Sequence, residues 1–232
     1  MANTVIDPRL MAAASFVRAG AVFADIGTDH GYLPVFLLSR GIATRAVLSD
    51  VNAGPLSSAR ENVAAAGLSH LCDFLLTDGA TALEGYGITD YAICGMGGEL
   101  IADIIARAPH LCDPNIRLIV QPMTRQEHLR RAVYEMGFEI EAERYSTDDG
   151  RYYVTLLLAF RGTPCEISDE LAYLGPRARH TDDRAEYRGY LRTKQNSLTK
   201  AYEGRRKSGQ DDPKMKHVLD LIGERINELE QN

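Results

Sequence analysis

The stretch Val22–Leu37, VFADIGTDHGYLPVFL, constrains the fold of this chain more than any other. An apolar run ends in Asp25, a short loop with Gly27 and Gly31 follows, and a second apolar run begins at Leu33. This order of strand, glycine turn and helix start is typical of the first βα unit of a nucleotide-binding α/β sheet. Glycines let the backbone approach a ligand closely, and the helix start offers unpaired N–H groups.

The spacing within this loop argues against a dinucleotide and favours a cationic ligand. A dinucleotide fingerprint requires Gly-x-Gly-x-x-Gly, but Asp29 and Tyr32 occupy the second and third glycine positions. A carboxylate in the loop repels a pyrophosphate and suits a ligand that carries an amino group. The pattern Asp-x-Gly-x-Asp-x-Gly is therefore similar to the first motif of S-adenosylmethionine-dependent methyltransferases, whose cofactor bears a sulfonium and an ammonium. The alternative is an ordinary turn in which Asp29 caps the following helix.

Acidic residues that follow later strands extend this interpretation. The segment Arg45–Asp50 reads as a second strand, and its last residue lies where nucleotide-binding sheets hold a pair of ribose hydroxyls. Asp78 and Gly79 follow a third strand, where a carboxylate can accept from the adenine amino group; a plain turn is the alternative. A fourth strand leads directly into the glycine-rich loop Gly95–Gly98, which again indicates close backbone approach.

The remaining elements predict a parallel sheet that ends in an antiparallel hairpin. Arg117–Gln121 has the continuous apolar middle of a strand that is buried on both faces. Two further strands, Phe138–Tyr145 and Tyr152–Phe160, are joined by a turn at Asp149-Gly150. We therefore expect an α/β fold, a Rossmann-like class I methyltransferase sheet of seven strands with the last one antiparallel.

Helical periodicity replaces the strand pattern after residue 162, so we predict a methyltransferase domain over residues 1–162 and a helical domain over residues 163–232. A heptad seam runs through Met215, Leu219, Ile222, Ile226 and Leu229. An earlier seam is separated from it by a short polar loop, which predicts an antiparallel coiled-coil hairpin.

Charge is distributed unevenly along the chain. Residues 1–162 hold 13 basic and 19 acidic residues, whereas residues 177–216 hold 12 basic and 6 acidic ones. Such asymmetry indicates a nucleic-acid contact surface, and a solvated helical face is the equally weighted alternative. The basic residues of the predicted outer face are Arg184, Arg188, Arg192, Lys194, Lys200, Arg205, Arg206 and Lys207.

The composition argues against several other classes of protein. With 232 residues and 45% hydrophobic content the chain can bury a core, but it has no run of about 18 apolar residues. We therefore expect no membrane span, and the N-terminal sequence lacks the pattern of a secretion signal. The four cysteines are far apart and none lies near a metal-spaced histidine pair. We expect a cytoplasmic monomer with reduced thiols and without a metal.

Taken together, these motifs resemble the bacterial tRNA adenine-N1 methyltransferases that modify adenine 22. The resemblance covers essentially the whole chain, with Gly31 as a small departure because several members have Ala there. The motifs that carry it are Asp25–Pro34, Ser49–Asn52, Gly95–Glu99, Gln121-Pro122 and Asp149–Tyr153. It implies S-adenosyl-L-methionine as cofactor, tRNA as partner and N1 of an adenine as the methylated atom.

The resemblance and the strand ends together give the expected site residues. The expected cofactor-binding residues are Asp25, Gly27, Thr28, His30, Gly31, Tyr32, Leu33, Asp50, Val51, Asn52, Asp78, Gly79, Gly95, Met96 and Gly97. Adenine N1 attacks an already activated methyl group, so we expect catalysis by positioning, with Asp29 stabilising the charge on the product. The expected substrate contacts are Arg9, Gln121, Arg184, Arg188, Arg192, Arg205 and Arg206.

Three other functions stay open at this point. The chain could methylate another RNA, a small molecule or a protein, although the basic hairpin disfavours the last two. It could also be a non-catalytic cofactor-binding RNA module, because it lacks the Asn/Asp-Pro-Pro-aromatic tetrad that many adenine N-methyltransferases have. A nicotinamide dehydrogenase is disfavoured by Asp29 and Tyr32.

Overall fold

The computed structural model describes residues 6–176 and 183–231. Residues 177–182, which include part of the predicted basic segment, lie outside the described residues. The strands are β1 (Ala21–Ile26), β2 (Ala43–Asp50), β3 (Cys72–Leu76), β4 (Asp90–Gly97), β5 (Arg117–Thr124), β6 (Phe138–Asp148) and β7 (Arg151–Phe160). The α-helices are α1 (Pro8–Ala14), α2 (Tyr32–Ser39), α3 (Ala53–Ala65), α4 (Gly98–Ala106), α5 (Gln126–Glu135), α6 (Asp169–Leu174), α7 (Arg184–Lys207) and α8 (Pro213–Gln231).

The seven strands form one mixed sheet in the order β3-β2-β1-β4-β5-β7-β6. Strands β1 to β5 are parallel to their neighbours, whereas β7 is antiparallel to both β5 and β6. The predicted fold is therefore confirmed. The strand order reverses between β1 and β4, and in open α/β sheets ligands bind in the crevice at such a switch point.

The core follows from the apolar strands at the centre of this sheet. Leu118, Ile119 and Val120 of β5 are all fully buried, as a strand covered on both faces requires.

The hairpin after β6 turns at Asp149 and Gly150, whose φ angles of 46° and 71° lie in the left-handed region that a tight two-residue turn uses.

The C-terminal helices share the apolar core of the sheet. Tyr187 and Leu191 of α7 and Ile222 of α8 are buried in the same cluster as Leu156 of β7. The predicted seam of α8 is present. The buried surface of α8 is wider than this seam, because α8 contacts α6 as well as α7. The boundary after residue 162 therefore stays a prediction from the sequence.

A buried ion pair connects the sheet to the first C-terminal helix. Arg130 of α5 is fully buried, and its Nε and Nη2 donate to the Glu143 carboxylate of β6 at 2.7 and 3.1 Å. Its Nη1 donates to the carbonyl of Ala172 in α6 at 2.9 Å. The same carboxylate leaves no room for a side chain at Gly175, where an added Cβ would lie 2.3 Å from Glu143 Oε2. Removing either charge would leave the other buried and uncompensated, which typically costs about 3–5 kcal/mol.

None of the helices in the described part of the chain combines the length and apolar character needed to cross a bilayer.

Candidate active site

A cavity of about 720 Å³ lies at the carboxyl ends of the central strands, beside the switch point between β1 and β4. Among the described residues that line it, Arg9 is the one Lys or Arg side chain. The carboxylates of its lining are Asp7, Asp25, Asp29, Asp50, Asp78 and Asp148. This charge distribution favours a cationic ligand and disfavours a pyrophosphate. Within the described chain, no group of three or more His, Cys, Asp or Glu side chains is arranged to hold a metal ion.

The loop after β1 has an alternating left-handed backbone. Gly27, Asp29 and Gly31 have φ angles of 70°, 51° and 68°. A Cβ at Gly27 would lie 2.1 Å from Cε of Met96, so the end of the methionine side chain would have to move, and the φ of 70° favours glycine at this position. The N-cap of α2 is Gly31, and no side chain caps the helix. The alternative in which Asp29 is a helix cap is therefore wrong.

Asp25 is a buried carboxylate at the end of β1. It is 6% exposed, and the Thr28 hydroxyl donates to its Oδ2 at 2.7 Å. Burial raises the pKa of Asp25 to about 6, and the nearby Asp50 carboxylate acts in the same direction. The hydrogen bond from Thr28 and the charge of Arg9 partly offset this increase. A bound cation would favour the ionised form of Asp25.

Asp50 presents its carboxylate from the end of β2. It is 8% exposed, and its Oδ1 accepts from the backbone N–H of Asn52 at 2.8 Å. The backbone N–H of Asp29 lies 3.5 Å from the other oxygen. These donors fix the carboxylate and leave further lone pairs on each oxygen, so the group can accept hydrogen bonds from a pair of hydroxyls.

Asp78 is held by an arginine that the sequence did not single out. Nη1 and Nη2 of Arg107 donate to the two carboxylate oxygens of Asp78 at 2.9 and 3.3 Å. Nε of Arg107 also donates to Asp103, one turn earlier on α4, at 2.9 Å. The ion pair orients the Asp78 carboxylate at the far end of the cavity, and each oxygen keeps a lone pair for another donor.

The structure corrects the prediction that Gln121 contacts substrate. Gln121 is fully buried and does not line the cavity. Its Oε1 accepts from Nη1 of Arg9 at 3.0 Å and from the backbone N–H of Gly95 at 3.1 Å. The reason is its place within β5, beside Gly95 near the end of β4, where the predicted glycine-rich loop is a continuation of the strand into α4. Gln121 therefore connects helix α1 to the end of β4.

Most of the expected cofactor residues line the cavity, with two exceptions. The expected site residues in its lining are Arg9, Asp25, Gly27, Thr28, Asp29, His30, Tyr32, Leu33, Asp50, Val51, Asn52, Asp78, Gly79, Gly95 and Met96. Gly31 instead faces the interior, where an added Cβ would lie 3.1 Å from Leu48 and 3.2 Å from Ala59. Gly97 lies beside Thr124, at the start of α4.

Several lining residues were missed by the sequence reasoning. They are Asp7, Leu10, Ile26, Pro55, Thr77, Cys94, Leu100, Ile104, Met123, Asp148 and Tyr153. The rule that ligands meet the carboxyl ends of strands could have found Met123 near the end of β5 and Asp148 at the end of β6. Burial and the charge of Asp25 raise the pKa of Cys94 far above its usual range, so this thiol is not a nucleophile at neutral pH.

The basic side chains of α7 do not form one outer face. Nη2 of Arg184 donates to the carbonyl of Leu229 at 2.9 Å, so this arginine packs against α8. Arg192 pairs with Glu230, Arg205 pairs with Asp212, and Lys194 Nζ lies 3.1 Å from Glu127 in a largely buried position. These residues close the helix pair or join it to α5, so they do not share one free basic face, and their contact with phosphates stays a prediction from the sequence. The basic residues of α7 that are exposed and form no ion pair within the described chain are Lys200, Arg206 and Lys207.

Comparison with known protein families gives a match over most of the sheet region. Residues 6–156 match the family described as Methyltransferase domain. The tRNA (adenine(22)-N(1))-methyltransferase of Bacillus subtilis is 32% identical over 152 residues, which are 66% of this chain and 64% of that protein. The chain thus spans slightly less than two thirds of the length of this curated relative.

Solved structures are similar over nearly the whole chain. A putative tRNA (m1A22) methyltransferase of Streptococcus pneumoniae, in complex with S-adenosyl-L-methionine, is 31% identical with a TM-score of 0.81, covering 96% of this chain and 100% of that one. The M. capricolum TrmK, in complex with S-adenosyl-homocysteine, is 25% identical with a TM-score of 0.73, covering 97% and 96% of the two chains.

Proposed function

The chain belongs to the methyltransferase domain family, together with the bacterial tRNA (m1A22) methyltransferases, and we propose that it transfers a methyl group from S-adenosylmethionine to N1 of an adenine in tRNA. The observation that carries the proposal is the acidic cavity at the switch point of the sheet, with its glycine turn and strand-end carboxylates. The target position, adenine 22, is proposed from the names of the relatives.

The residues of the cavity fit this cofactor. Its two cationic groups match a lining with six carboxylates and one arginine. The left-handed φ of Gly27 and its missing side chain let the backbone of this turn approach a ligand closely. The oriented acceptor of Asp50 suits a ribose diol, and that of Asp78 suits an adenine amino group. When bound, the cofactor supplies an electrophilic methyl group.

The chain's own residues would act mainly by positioning the base. Adenine N1 has an in-plane lone pair, so no side chain has to remove a proton before the attack. The rings of His30 and Tyr32 are stacked with centroids 5.3 Å apart, and Tyr32 is 48% exposed, which offers a planar surface to a base drawn out of its stack. The Asp29 carboxylate, at the rim of the cavity, would stabilise the positive charge on the methylated base.

Lys200, Arg206 and Lys207 supply exposed positive charge on α7, and we propose that they contact tRNA phosphates. Arg188 stays a candidate from the sequence, whereas Arg184, Arg192 and Arg205 are engaged within the helix pair. We propose further that the protein acts on tRNA in the cytoplasm, and that it acts as a monomer.

The test is methylation of defined transcripts by the full-length chain. A tRNA transcript with adenine at position 22 is incubated with isotopically labelled S-adenosylmethionine, digested to nucleosides and fragments, and analysed by mass spectrometry. We expect 1-methyladenosine at position 22 and no label in a matched transcript with guanine there. A labelled base elsewhere would indicate another RNA substrate. Binding of S-adenosylhomocysteine without any label in total tRNA would favour a non-catalytic RNA module.

A further inference from the structure

Arg9 is an unusual side chain in the acidic cavity. Its side chain is 22% exposed and shares the lining of the cavity with six carboxylates. Its Nη2 lies 3.3 Å from Oδ2 of Asp7, and its charge also acts on Asp25. A partly buried guanidinium is costly unless hydrogen bonds and an anion compensate it. An exposed arginine that only approaches a phosphate from solvent does not need this environment.

The position of Arg9 is fixed from behind by Gln121. One amide oxygen of this fully buried residue accepts from both Arg9 and the Gly95 peptide group. The amide nitrogen of Gln121 lies 3.3 Å from the carbonyl of Pro122, which determines the orientation of the side chain. Arg9 has five N–H donors, and within the described chain its two side-chain hydrogen bonds go to Gln121 and Asp7. The guanidinium is thus held at the cavity wall with donors to spare.

The charges of the ligand determine what such a guanidinium can bind. Asp25 and the other carboxylates suit the sulfonium and the ammonium of S-adenosylmethionine, and a guanidinium beside either cation would be repelled. The cofactor has one anionic group, the carboxylate of its amino-acid end. Arginine binds carboxylates through two parallel N–H donors, which makes it the matching side chain.

We propose that Arg9 binds the carboxylate of the cofactor's amino-acid end, rather than a tRNA phosphate, and that Gln121 is the positioning residue that holds Arg9 there. This inference rests on the proposed function, since it assumes that the cavity takes S-adenosylmethionine. It replaces the expectation from the sequence that both residues contact substrate.

The test compares two ligands that differ only in the carboxylate. Calorimetric titration of the full-length chain gives the Kd of S-adenosylhomocysteine and of its decarboxylated analogue, which keeps the ammonium. For Arg9→Gln we expect about tenfold to hundredfold weaker binding of S-adenosylhomocysteine and an almost unchanged Kd for the analogue. Arg45→Gln, at the opposite edge of the sheet, is the matched control and should change neither value.

Each alternative outcome has a distinct meaning. Equal losses for the two ligands, or no loss for either, would overturn the assignment of Arg9. An unchanged Kd for S-adenosylhomocysteine together with a raised KM for tRNA would show that Arg9 contacts the tRNA substrate and not the cofactor. That result would overturn the inference and leave the proposed function intact. If the unmodified chain bound neither ligand, the proposed function would fail and the inference with it.

Gln121 is tested by the same pair of ligands. Gln121→Met removes the shared acceptor, and we expect it to weaken binding of S-adenosylhomocysteine selectively, with a raised KM for the cofactor and little change in kcat. Gln121→Glu keeps an acceptor oxygen for Arg9 and should restore the discrimination between the ligands. A purely structural role would weaken both ligands in parallel, and that result would remove Gln121 from the proposal.

Discussion

Gly189 of helix α7 approaches Tyr152 of strand β7 so closely that an added Cβ would lie 2.2 Å from Cζ of the tyrosine ring. The contact joins the helix pair to the strand whose next residue, Tyr153, lines the cavity. We expect Gly189→Ala to lower the free energy of unfolding by about 1–3 kcal/mol, because the ring or the helix has to move. Urea unfolding followed by circular dichroism measures this change.

Gly204 provides the control on the same helix. An added Cβ there meets nothing within 4 Å, so Gly204→Ala should raise the helix propensity without a collision. We expect a gain of up to about 1 kcal/mol in the free energy of unfolding. The two substitutions should thus have opposite signs. A gain for Gly189→Ala as well would show that the close approach to Tyr152 does not constrain the fold.

Because of Asp25, the free energy of unfolding of the ligand-free protein should be lower at neutral pH than at pH 4. Its pKa is raised from the ordinary value of 3.8 to about 6 in the folded state, so the fold favours the protonated acid. The contribution of Asp25 to stability is fully present below pH 4 and is lost as the pH rises through 6. We expect Asp25→Asn to be more stable than the unmodified chain at pH 7.5 by about 2–3 kcal/mol, with the difference vanishing near pH 4. Urea titrations across this range measure the difference, and one that did not vary with pH would contradict the account.

Asp25→Asn should also weaken cofactor binding at neutral pH, because the neutral amide cannot compensate the positive charge of the ligand. We expect the Kd of S-adenosylhomocysteine to rise about tenfold or more for Asp25→Asn. In the unmodified chain the Kd should also rise as the pH falls below 6, since a proton then competes with the ligand for Asp25. Calorimetric titrations at pH 5.5 and 7.5 distinguish these effects, and a pH-independent Kd would exclude Asp25 from binding.

Asp29 should affect the chemical step more than cofactor binding. Its φ of 51° is a conformation that asparagine tolerates and alanine does not, so Asp29→Asn removes the charge while keeping the turn. We expect kcat for methyl transfer to fall about tenfold to hundredfold, with the Kd of S-adenosylhomocysteine changed less than about threefold. Single-turnover rates at saturating cofactor and tRNA measure the effect. Full methyl transfer by this variant would exclude a catalytic role for Asp29.

The exposed basic end of α7 should govern the salt dependence of tRNA binding. We expect the double substitution of Arg206 and Lys207 by Ala to raise the Kd for tRNA and to reduce the slope of log K against log salt by about one to two units. Arg192→Ala, whose guanidinium already pairs with Glu230, is the control and should change the slope less. Filter-binding measurements at several salt concentrations give the slopes. Equal slopes in all three proteins would place the tRNA contact elsewhere.

The parts of the site that the sequence revealed are those fixed by strand ends. Asp25 is the penultimate residue of β1 and Asp50 is the last residue of β2, so the parallel sheet alone brings them to one edge. The misassigned residues depend on which neighbour a side chain meets. Gln121 ends the predicted strand, but β5 continues to Thr124, and the peptide group of Gly95 in β4 donates to its side chain. The pairing of Arg107 with Asp78, 29 residues earlier in the chain, has no local pattern that could predict it.

The helical region shows the same limit. Hydrophobic periodicity found the seam of α8, including Ile222 and Ile226, because that pattern is local. It could not show that α6 lies against α8, nor that Arg184 and Lys194 turn inward to partners on α8 and α5. The number of basic residues in this region is read directly from the sequence, but that number does not reveal which of them form ion pairs.

Under the proposed function, the buried pair of Arg130 and Glu143 has a consequence for the selection of tRNA. Arg130 also donates to the carbonyl of Ala172 in α6, and α6 packs against α8, so the helix pair is connected to the sheet through α6. Helix α7 has 24 residues and is therefore about 36 Å long. The basic end of α7 would then lie at a fixed distance from the cavity. An RNA could make both contacts at once only if its backbone reached the basic end while its adenine reached the cavity. The enzyme would then select its substrate by the distance between two sites in the folded tRNA, with little dependence on the base sequence.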